Sequence, residues 1–131
     1  ICACLVGSEM CIRDSYTEVG IDPDIMGYAP KLAIDQLMQK TGQTLTAIDQ
    51  VELNEAFASQ SVAVMRDLGL TDEQVNINGG ALALGHPLGA SGARIMVSLL
   101  YNLAERRQQT GIAALCVGGG IGMAMQVTLH D

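Results

Sequence analysis

Residues 78–92 constrain the fold of this chain more than any other segment, because they form a glycine-rich stretch that contains a histidine and leads into a helical pattern. Five of these fifteen residues are glycines: Gly79, Gly80, Gly85, Gly89 and Gly92. Each glycine weakens a regular element by about 0.5–1 kcal/mol, so this density is typical of backbone that turns sharply or approaches another group closely. The pattern predicts a loop that positions the His86 side chain.

His86 has two interpretations. It could only make hydrogen bonds within its own loop, or it could belong to a functional site. The glycines on both sides favour the site, because they expose the ring. The N-terminal amides of the following helix would also lie nearby, where developing negative charge is favoured. We therefore treat His86 as a candidate catalytic residue.

Composition and charge restrict the class of protein. A chain of 131 residues that is 49% hydrophobic can bury one core, and a domain of this size buries roughly two-thirds of its unfolded surface. Seven Lys and Arg against fourteen Asp and Glu argue against a nucleic-acid or anionic-membrane partner. No apolar run reaches the roughly eighteen residues that a membrane span needs. We expect one cytoplasmic domain.

The four cysteines, Cys2, Cys4, Cys11 and Cys116, do not form a disulfide framework. Zinc would need paired ligands at spacings such as C-x2-C with partners downstream, which the first three do not offer. The sequence thus predicts no metal site. The chain does not begin with methionine, and we expect a partial reading frame.

Helical patterns occupy three segments. We predict a helix over residues 30–41 that Gly42 ends, one over residues 56–68 that Gly69 ends, and a long one over residues 91–107. The expected buried positions of the first and third are Ala33, Leu37, Met38, Ile95, Met96, Leu99, Leu100 and Leu103.

Strand patterns occupy residues 51–53, 112–117 and 123–129, with a shorter extended piece at residues 75–78. Residues 112–117 are continuously apolar, as in a strand buried on both faces, whereas residues 123–129 alternate. The glycines of residues 118–120 would join these two strands. The predicted fold class is α/β, a mixed β-sheet layered with α-helices.

Two further positions invite chemistry, and each has an ordinary structural alternative. Cys116 could be a buried apolar thiol of a core strand, although it lies two residues before a glycine run. Asn54 and Glu55 follow a strand and could simply cap a helix. Only their combination with His86 favours a catalytic role.

Nucleotide-binding motifs do not fit. The chain has no Gly-x4-Gly-Lys-Ser/Thr, and its glycines follow no long strand with a ribose-binding acid downstream. Residues 118–122 are glycine-rich, but a strand pattern follows them where a phosphate-binding loop would need a helix.

Three motifs together resemble the C-terminal half of thiolases, in order and spacing. They are Asn54-Glu55-Ala56-Phe57-Ala58, then Asn78-Gly79-Gly80-Ala81 through Gly85-His86-Pro87-Leu88-Gly89-Ala90-Ser91-Gly92-Ala93-Arg94, then Cys116-Val117-Gly118-Gly119-Gly120. The segment Asp22-Pro23-Asp24-Ile25-Met26-Gly27 is similar to the family's entry to this region. The resemblance covers residues 16–131, and Ala90-Ser91 is more similar to the acetoacetyl-CoA type than to the degradative type.

The resemblance implies acyl transfer between coenzyme A thioesters through an acyl-cysteine, with no cofactor because the coenzyme A thioester is itself the substrate. Cys116 would remove or return the α-proton, as a thiol whose pKa is drawn down toward neutrality. His86 would activate the nucleophile and donate to one thioester oxygen, Asn54 would hold a water there, and the Gly118 N–H would serve the other oxyanion site. The acyl pocket would be lined by Met26, Ala56 and Phe57.

The chain departs from the family pattern in one respect. The family's nucleophilic cysteine lies in the N-terminal half in a Cys-x-Ser-Gly context, and its coenzyme A loop also precedes this region; neither is reproduced here. We expect residues 1–15 to be a non-family segment, because they resemble translated adapter sequence. We also expect the fragment alone to be inactive. The N-terminal half would be its partner in a homodimer or homotetramer. The rival hypotheses are a non-catalytic module that binds acyl-CoA or docks a partner, and a purely structural domain.

Overall fold

The computed structural model describes residues 11–130 of the chain, with side chains described from residue 15 onward. Four strands form one mixed sheet in the order β1-β4-β3-β2. Their bounds are β1 Cys11–Gly20, β2 Gln50–Leu53, β3 Thr110–Val117 and β4 Ile121–Leu129. β4 pairs antiparallel with both β1 and β3, whereas β2 pairs parallel with β3. The prediction of a mixed α/β sheet is confirmed.

Helices connect and cover the sheet. Their bounds are α1 Ala29–Thr41, α2 Ala58–Leu68, α3 Ala81–Leu84 and α4 Ser91–Arg106, with 3-10 turns at Pro23–Tyr28 and Leu45–Ala47. Gly42 and Gly69 adopt left-handed conformations with φ of 69° and 67°, so each ends its helix as predicted. α2 begins at Ala58, two residues later than expected, because Phe57 is still extended.

The sheet separates two apolar clusters. On one face α1 and α2 pack with β2 and β3 through buried residues such as Ile34, Leu37, Val64 and Ile112. On the other face α4 packs Ile95, Leu99 and Leu103 against Ala113 and Val127. Alternation along β3 explains this division, because successive side chains of a strand point to opposite faces. The buried positions predicted for α1 and α4 are confirmed, except that Leu100 is half-buried.

β1 was not predicted from the sequence. It crosses the expected boundary after residue 15 without a break in pairing, with a β-bulge between Arg13 and Ser15. The strand lies at a sheet edge and its described part is largely polar, so neither alternation nor apolar content reveals it. The expected foreign origin of residues 1–15 stays a prediction, and Cys2 and Cys4 lie outside the described residues.

Leu99→Ala should lower the free energy of unfolding by about 2–5 kcal/mol, because Leu99 is fully buried and contacts the position where a Gly111 side chain would lie. Val97→Ala on the same helix is the matched control, since Val97 is 49% exposed, and should change it by less than about 1 kcal/mol. Urea denaturation measures both. Equal losses for the two variants would contradict the packing described here.

Candidate functional site

The candidate site lies at one edge of the sheet, where β2 and β3 both end. Because these strands are parallel, their carboxyl ends meet at the same edge. Asn54 follows β2 directly, and its backbone N–H donates to the Ala114 carbonyl at 2.9 Å. Cys116 lies two residues beyond Ala114 on β3. The pairing therefore brings these two candidates to one edge.

The loop that carries His86 reaches the same edge through the start of α4. A side-chain carbon placed at Gly92, the second residue of α4, would lie 3.7 Å from Leu115 on β3. His86 is exposed and lies five residues before the helix. The start of α4 thus packs against the carboxyl end of β3, where Cys116 lies, and the loop of His86 leads into it.

Ser91 fixes the His86 ring. Nδ1 of His86 lies 2.6 Å from Ser91 Oγ, which in turn donates to the Pro87 carbonyl at 3.2 Å. A hydroxyl has one proton. While Ser91 donates that proton to the Pro87 carbonyl, its oxygen accepts a hydrogen bond from the Nδ1–H of His86. The neutral ring then carries its lone pair on Nε2, as a general base requires. Sequence reasoning missed Ser91; its place as the first residue of α4, five after His86, was the available signal.

The Asn54 side chain is fully buried, and neither its Oδ1 nor its Nδ2 has a hydrogen-bond partner. A buried amide without a partner costs about 1–3 kcal/mol, so such a group calls for an explanation. For Asn54 the helix-cap interpretation is wrong, because the residue that precedes α2 is Phe57 and the Asn54 side chain caps nothing. The orphaned amide is instead suited to bind a water or a ligand oxygen.

Glu55 holds the glycine loop against this edge. Its carboxylate accepts from Asn76 Nδ2 at 3.1 Å and from the backbone N–H of Leu82 at 2.9 Å. A side chain at Gly80 would lie 2.5 Å from the same carboxylate, so only glycine allows this approach. Glu55 therefore caps α3, in the glycine loop, and not the helix that follows it in sequence. The sequence placed Glu55 in a motif without revealing this contact.

Cys116 is half-buried, and burial raises the pKa of its thiol above the ordinary value, against a smaller lowering by a backbone hydrogen bond. This direction is opposite to the expected lowering toward neutrality. The reason is that burial disfavours the thiolate more than the local amide stabilises it. The described chain by itself thus favours the thiol, the form that donates a proton.

The remaining predicted residues surround this edge. Gly118 is exposed in the turn between β3 and β4, and Gly120 of that turn accepts from the Ile21 N–H at 2.7 Å. The 3-10 turn after Ile21 contains Met26, which is half-buried. A side chain at the neighbouring Gly27 would lie 2.8 Å from Gln60 in the first turn of α2.

The close approach of Gly27 to Gln60 brings the 3-10 turn that contains Met26 beside Ala56 and Phe57, the other two candidate pocket residues. Ala56 is half-buried and Phe57 is 60% exposed. The three positions expected to line an acyl pocket are therefore on adjacent segments. Their role in binding stays a prediction.

A polar network that sequence reasoning missed lies behind the site. Glu52 Oε1 accepts from Asn102 Nδ2 at 3.1 Å, and Asn102 Oδ1 accepts from Asn78 Nδ2 at 2.7 Å. Burial raises the pKa of Glu52 to about 7, although the Arg94 charge and the Asn102 hydrogen bond lower it and the Glu55 charge raises it. The sequence signal available for this network was the position of Glu52, two residues before Asn54.

Two absences apply to residues 11–130 alone. None of the helices there is long and apolar enough to cross a membrane. In the same part of the chain, no group of three or more His, Cys, Asp and Glu side chains is arranged to hold a metal ion.

Fold and site together define a layered α/β domain with a thiol and a buried amide at one sheet edge, and a histidine in the loop that leads into α4. The chain belongs to the thiolase family: the model of the thiolase C-terminal domain matches residues 9–129. The match begins before the boundary expected at residue 15, in agreement with the start of β1 at Cys11.

Individual relatives agree with this assignment. The chain is 53% identical over 115 residues to the acetyl-CoA acetyltransferase of Syntrophomonas wolfei, covering 86% of this chain and 29% of the relative. It is 52% identical over 113 residues to the cytosolic acetyl-CoA acetyltransferase of Rattus norvegicus, covering 86% and 28%. The crystal structure of the Bacillus anthracis acetyl-CoA acetyltransferase superposes with a TM-score of 0.91 at 45% identity, covering 94% and 31%. The chain thus spans under a third of the length of these relatives.

The neutral His86 ring should carry its proton on Nδ1, because Ser91 accepts from that nitrogen. Nitrogen-15 NMR above the titration range of imidazole reports the tautomer, and His130, which is exposed, is the internal control. Ser91→Ala should move the His86 proton toward Nε2 and leave His130 unchanged. A wild-type His86 protonated on Nε2 would contradict the hydrogen-bond assignment.

Proposed function

We propose that this chain is the C-terminal catalytic domain of an acetyl-CoA acetyltransferase, which transfers acyl groups between coenzyme A thioesters. What supports the proposal most is that a thiolase C-terminal domain here contains both a histidine whose Nδ1 lies 2.6 Å from Ser91 Oγ and a buried asparagine amide without a hydrogen-bond partner. The names of the relatives from Syntrophomonas wolfei and Rattus norvegicus support the same activity.

In the condensing direction, the proposed reaction needs a base for one substrate and two sites for developing oxyanions. The thiolate of Cys116, which is the form that burial in this chain disfavours, would take the α-proton of an acyl-CoA. The resulting carbanion would attack the carbonyl carbon of an acyl-cysteine. The carbon–sulfur bond of that acyl-cysteine then breaks and its sulfur leaves as a thiolate. We assign the acyl-cysteine to the part of the relatives that this chain does not cover.

His86 and Asn54 would act together on one thioester oxygen. Nε2 of His86 would accept the nucleophile's proton and, once protonated, donate to the oxygen. The unpartnered Asn54 amide would hold a water that donates to the same oxygen, and the backbone N–H of Gly118 would serve the second oxyanion site. Donors held in place before the reaction are worth about 3–4 kcal/mol each in transition-state stabilisation.

The partners of the domain follow from the same proposal. They are an acyl-CoA, the N-terminal part of the enzyme and, in the complete protein, one or three further copies, in the cytoplasm. Exposed apolar residues on the α3–α4 side support a covered surface, with Leu88 83% and Tyr101 74% exposed. The negative net charge disfavours a nucleic-acid partner. Met26, Ala56 and Phe57 would line the acyl pocket.

The isolated chain should show no cleavage of acetoacetyl-CoA, because it offers an acid/base and oxyanion donors without the nucleophilic cysteine that we assign to the uncovered part of the relatives. The assay is the loss of acetoacetyl-CoA absorbance with free coenzyme A added. Turnover by the pure chain would contradict the assignment of the nucleophile to the uncovered part.

A chimera tests the catalytic roles. Residues 9–129 replace the corresponding segment of the Syntrophomonas wolfei relative, and His86→Ala and Cys116→Ala should each lower kcat by about 10²–10⁴-fold. Cys11→Ala is the control, since Cys11 begins β1 at its far end, about 30 Å along the strand from the edge that carries the site.

Equal sensitivity of Cys11 and Cys116 would refute the assignment. Coenzyme A binding without turnover in the unsubstituted chimera would favour the rival hypothesis, a binding module.

A further inference from the structure

The segment that leads to His86 is a helix of a single turn. α3 has four residues, of which Ala81 is buried while Leu82 and Leu84 are 61% and 64% exposed. The turn closes where the Gly85 N–H donates to the Ala81 carbonyl at 2.8 Å, and His86 comes next in the chain. A single helical turn is not stable by itself in water. Since α3 buries little apolar surface, its position depends on polar contacts with the rest of the domain.

Glu55 makes such a contact from the end of β2. Its Oε2 accepts from the Leu82 N–H at 2.9 Å, and its Oε1 accepts from Asn76 Nδ2 at 3.1 Å. Glu55 directly follows Asn54, the residue whose buried amide has no hydrogen-bond partner. The Glu55 carboxylate therefore connects the neighbour of Asn54 to the helical turn that leads to His86.

Asn76 holds the other oxygen of this carboxylate and is itself bonded to β2. Its side chain takes the place of a neighbouring strand at the edge of the sheet, because Oδ1 accepts from the Leu53 N–H at 2.9 Å and Nδ2 donates to the Leu53 carbonyl at 2.8 Å. The Asn76 backbone is left-handed, with φ of 48°, a conformation that asparagine adopts more readily than most residues. Asn76 thus joins the Glu55 carboxylate to the last residue of β2.

We propose that Glu55 and Asn76 are positioning residues for the acyl-transfer reaction, a hydrogen-bonded pair that ties the start of α3 to the end of β2 and so fixes the loop of His86 relative to Asn54. The inference rests on the proposed function, and it assigns no contact with the substrate to either residue. Ser91 holds the His86 ring at the other end of the loop. Loss of the Glu55 contacts would leave that bond in place and displace the loop relative to Asn54.

The chimera tests this role with two substitutions that keep the shape of the side chain. In Glu55→Gln, the amide has one acceptor oxygen, so its NH2 group faces one of the two former donors. In Asn76→Asp, a carboxylate oxygen faces the Glu55 carboxylate. Each should lower kcat by about tenfold or more, because small displacements of catalytic groups slow a reaction strongly. KM for acetoacetyl-CoA should stay within about twofold, since ground-state binding is unaffected.

The double variant tests whether the two residues act as a pair. Together the substitutions exchange donor and acceptor, so the amide at position 55 can donate to the carboxylate at position 76 while its oxygen accepts from the Leu82 N–H. The kcat of the double variant should therefore exceed that of either single variant. Losses that multiply, as they do for independent residues, would overturn the inference.

Asp49→Asn is the matched control. Like Glu55, Asp49 is half-buried, and its carboxylate accepts from two backbone N–H groups, those of Gln109 at 3.0 Å and Thr110 at 2.9 Å. These contacts lie where β2 and β3 begin, at the opposite end of the strands from Asn54. The substitution should lower the melting temperature and leave kcat unchanged. A Glu55→Gln variant that resembles Asp49→Asn in both measurements would reduce Glu55 to a structural role and overturn the inference.

Folding and function can be separated from the positioning role. If Glu55→Gln alone prevents folding, a folded and active double variant supports the pair, and a double variant that is equally unfolded overturns it. An unsubstituted chimera without activity contradicts the proposed function, on which the inference depends. An active chimera that is indifferent to Glu55→Gln overturns only the positioning role.

Discussion

The parallel pairing of β2 with β3 is the constraint on which the rest of the site depends. Four register pairs, from Gln50 with Gly111 to Leu53 with Ala114, align the two strand ends. Parallel strands place their carboxyl ends at one edge, and groups that follow or end those strands become neighbours there. A one-residue shift of this pairing would send Glu52 and Asn54 to the opposite face, away from α4.

Polar burial gives this edge its chemical character. The Asn54 amide, the Glu52 carboxylate and the Arg94 guanidinium all carry buried atoms that lack hydrogen-bond partners. Such atoms are expensive in a fold that serves stability alone, since apolar residues of similar size often replace them without loss. Their concentration on the face toward α4, beside the loop of His86, is therefore better explained by function than by packing.

Much of the fold could be predicted because local chemistry decided it. Gly42 and Gly69 end helices through left-handed conformations that few other residues adopt easily, and the apolar spacing around Leu99 defines the buried face of α4. β1 could not be predicted, because an edge strand that pairs on one side tolerates polar residues and shows no clear period. Its identity depends on β4, more than a hundred residues away.

The candidate site, like the fold, could be predicted from the sequence only in part. Motif spacing singled out His86, Asn54 and Cys116 as candidates. It did not reveal the Ser91–His86, Glu55–Leu82 and Glu52–Asn102 contacts, because those depend on tertiary approach. The direction of the Cys116 pKa was also wrong, since it depends on burial that the sequence does not show.

The most direct measurement is a crystal structure of the chimera with an acyl-CoA bound. We expect the thioester at the carboxyl edge of β2 and β3, with its oxygen about 3 Å from His86 Nε2 and from a water held by Asn54. Cys116 should face the α-carbon. A thioester bound elsewhere, or one whose oxygen lies far from His86 and whose α-carbon lies far from Cys116, would contradict the catalytic roles assigned to these residues.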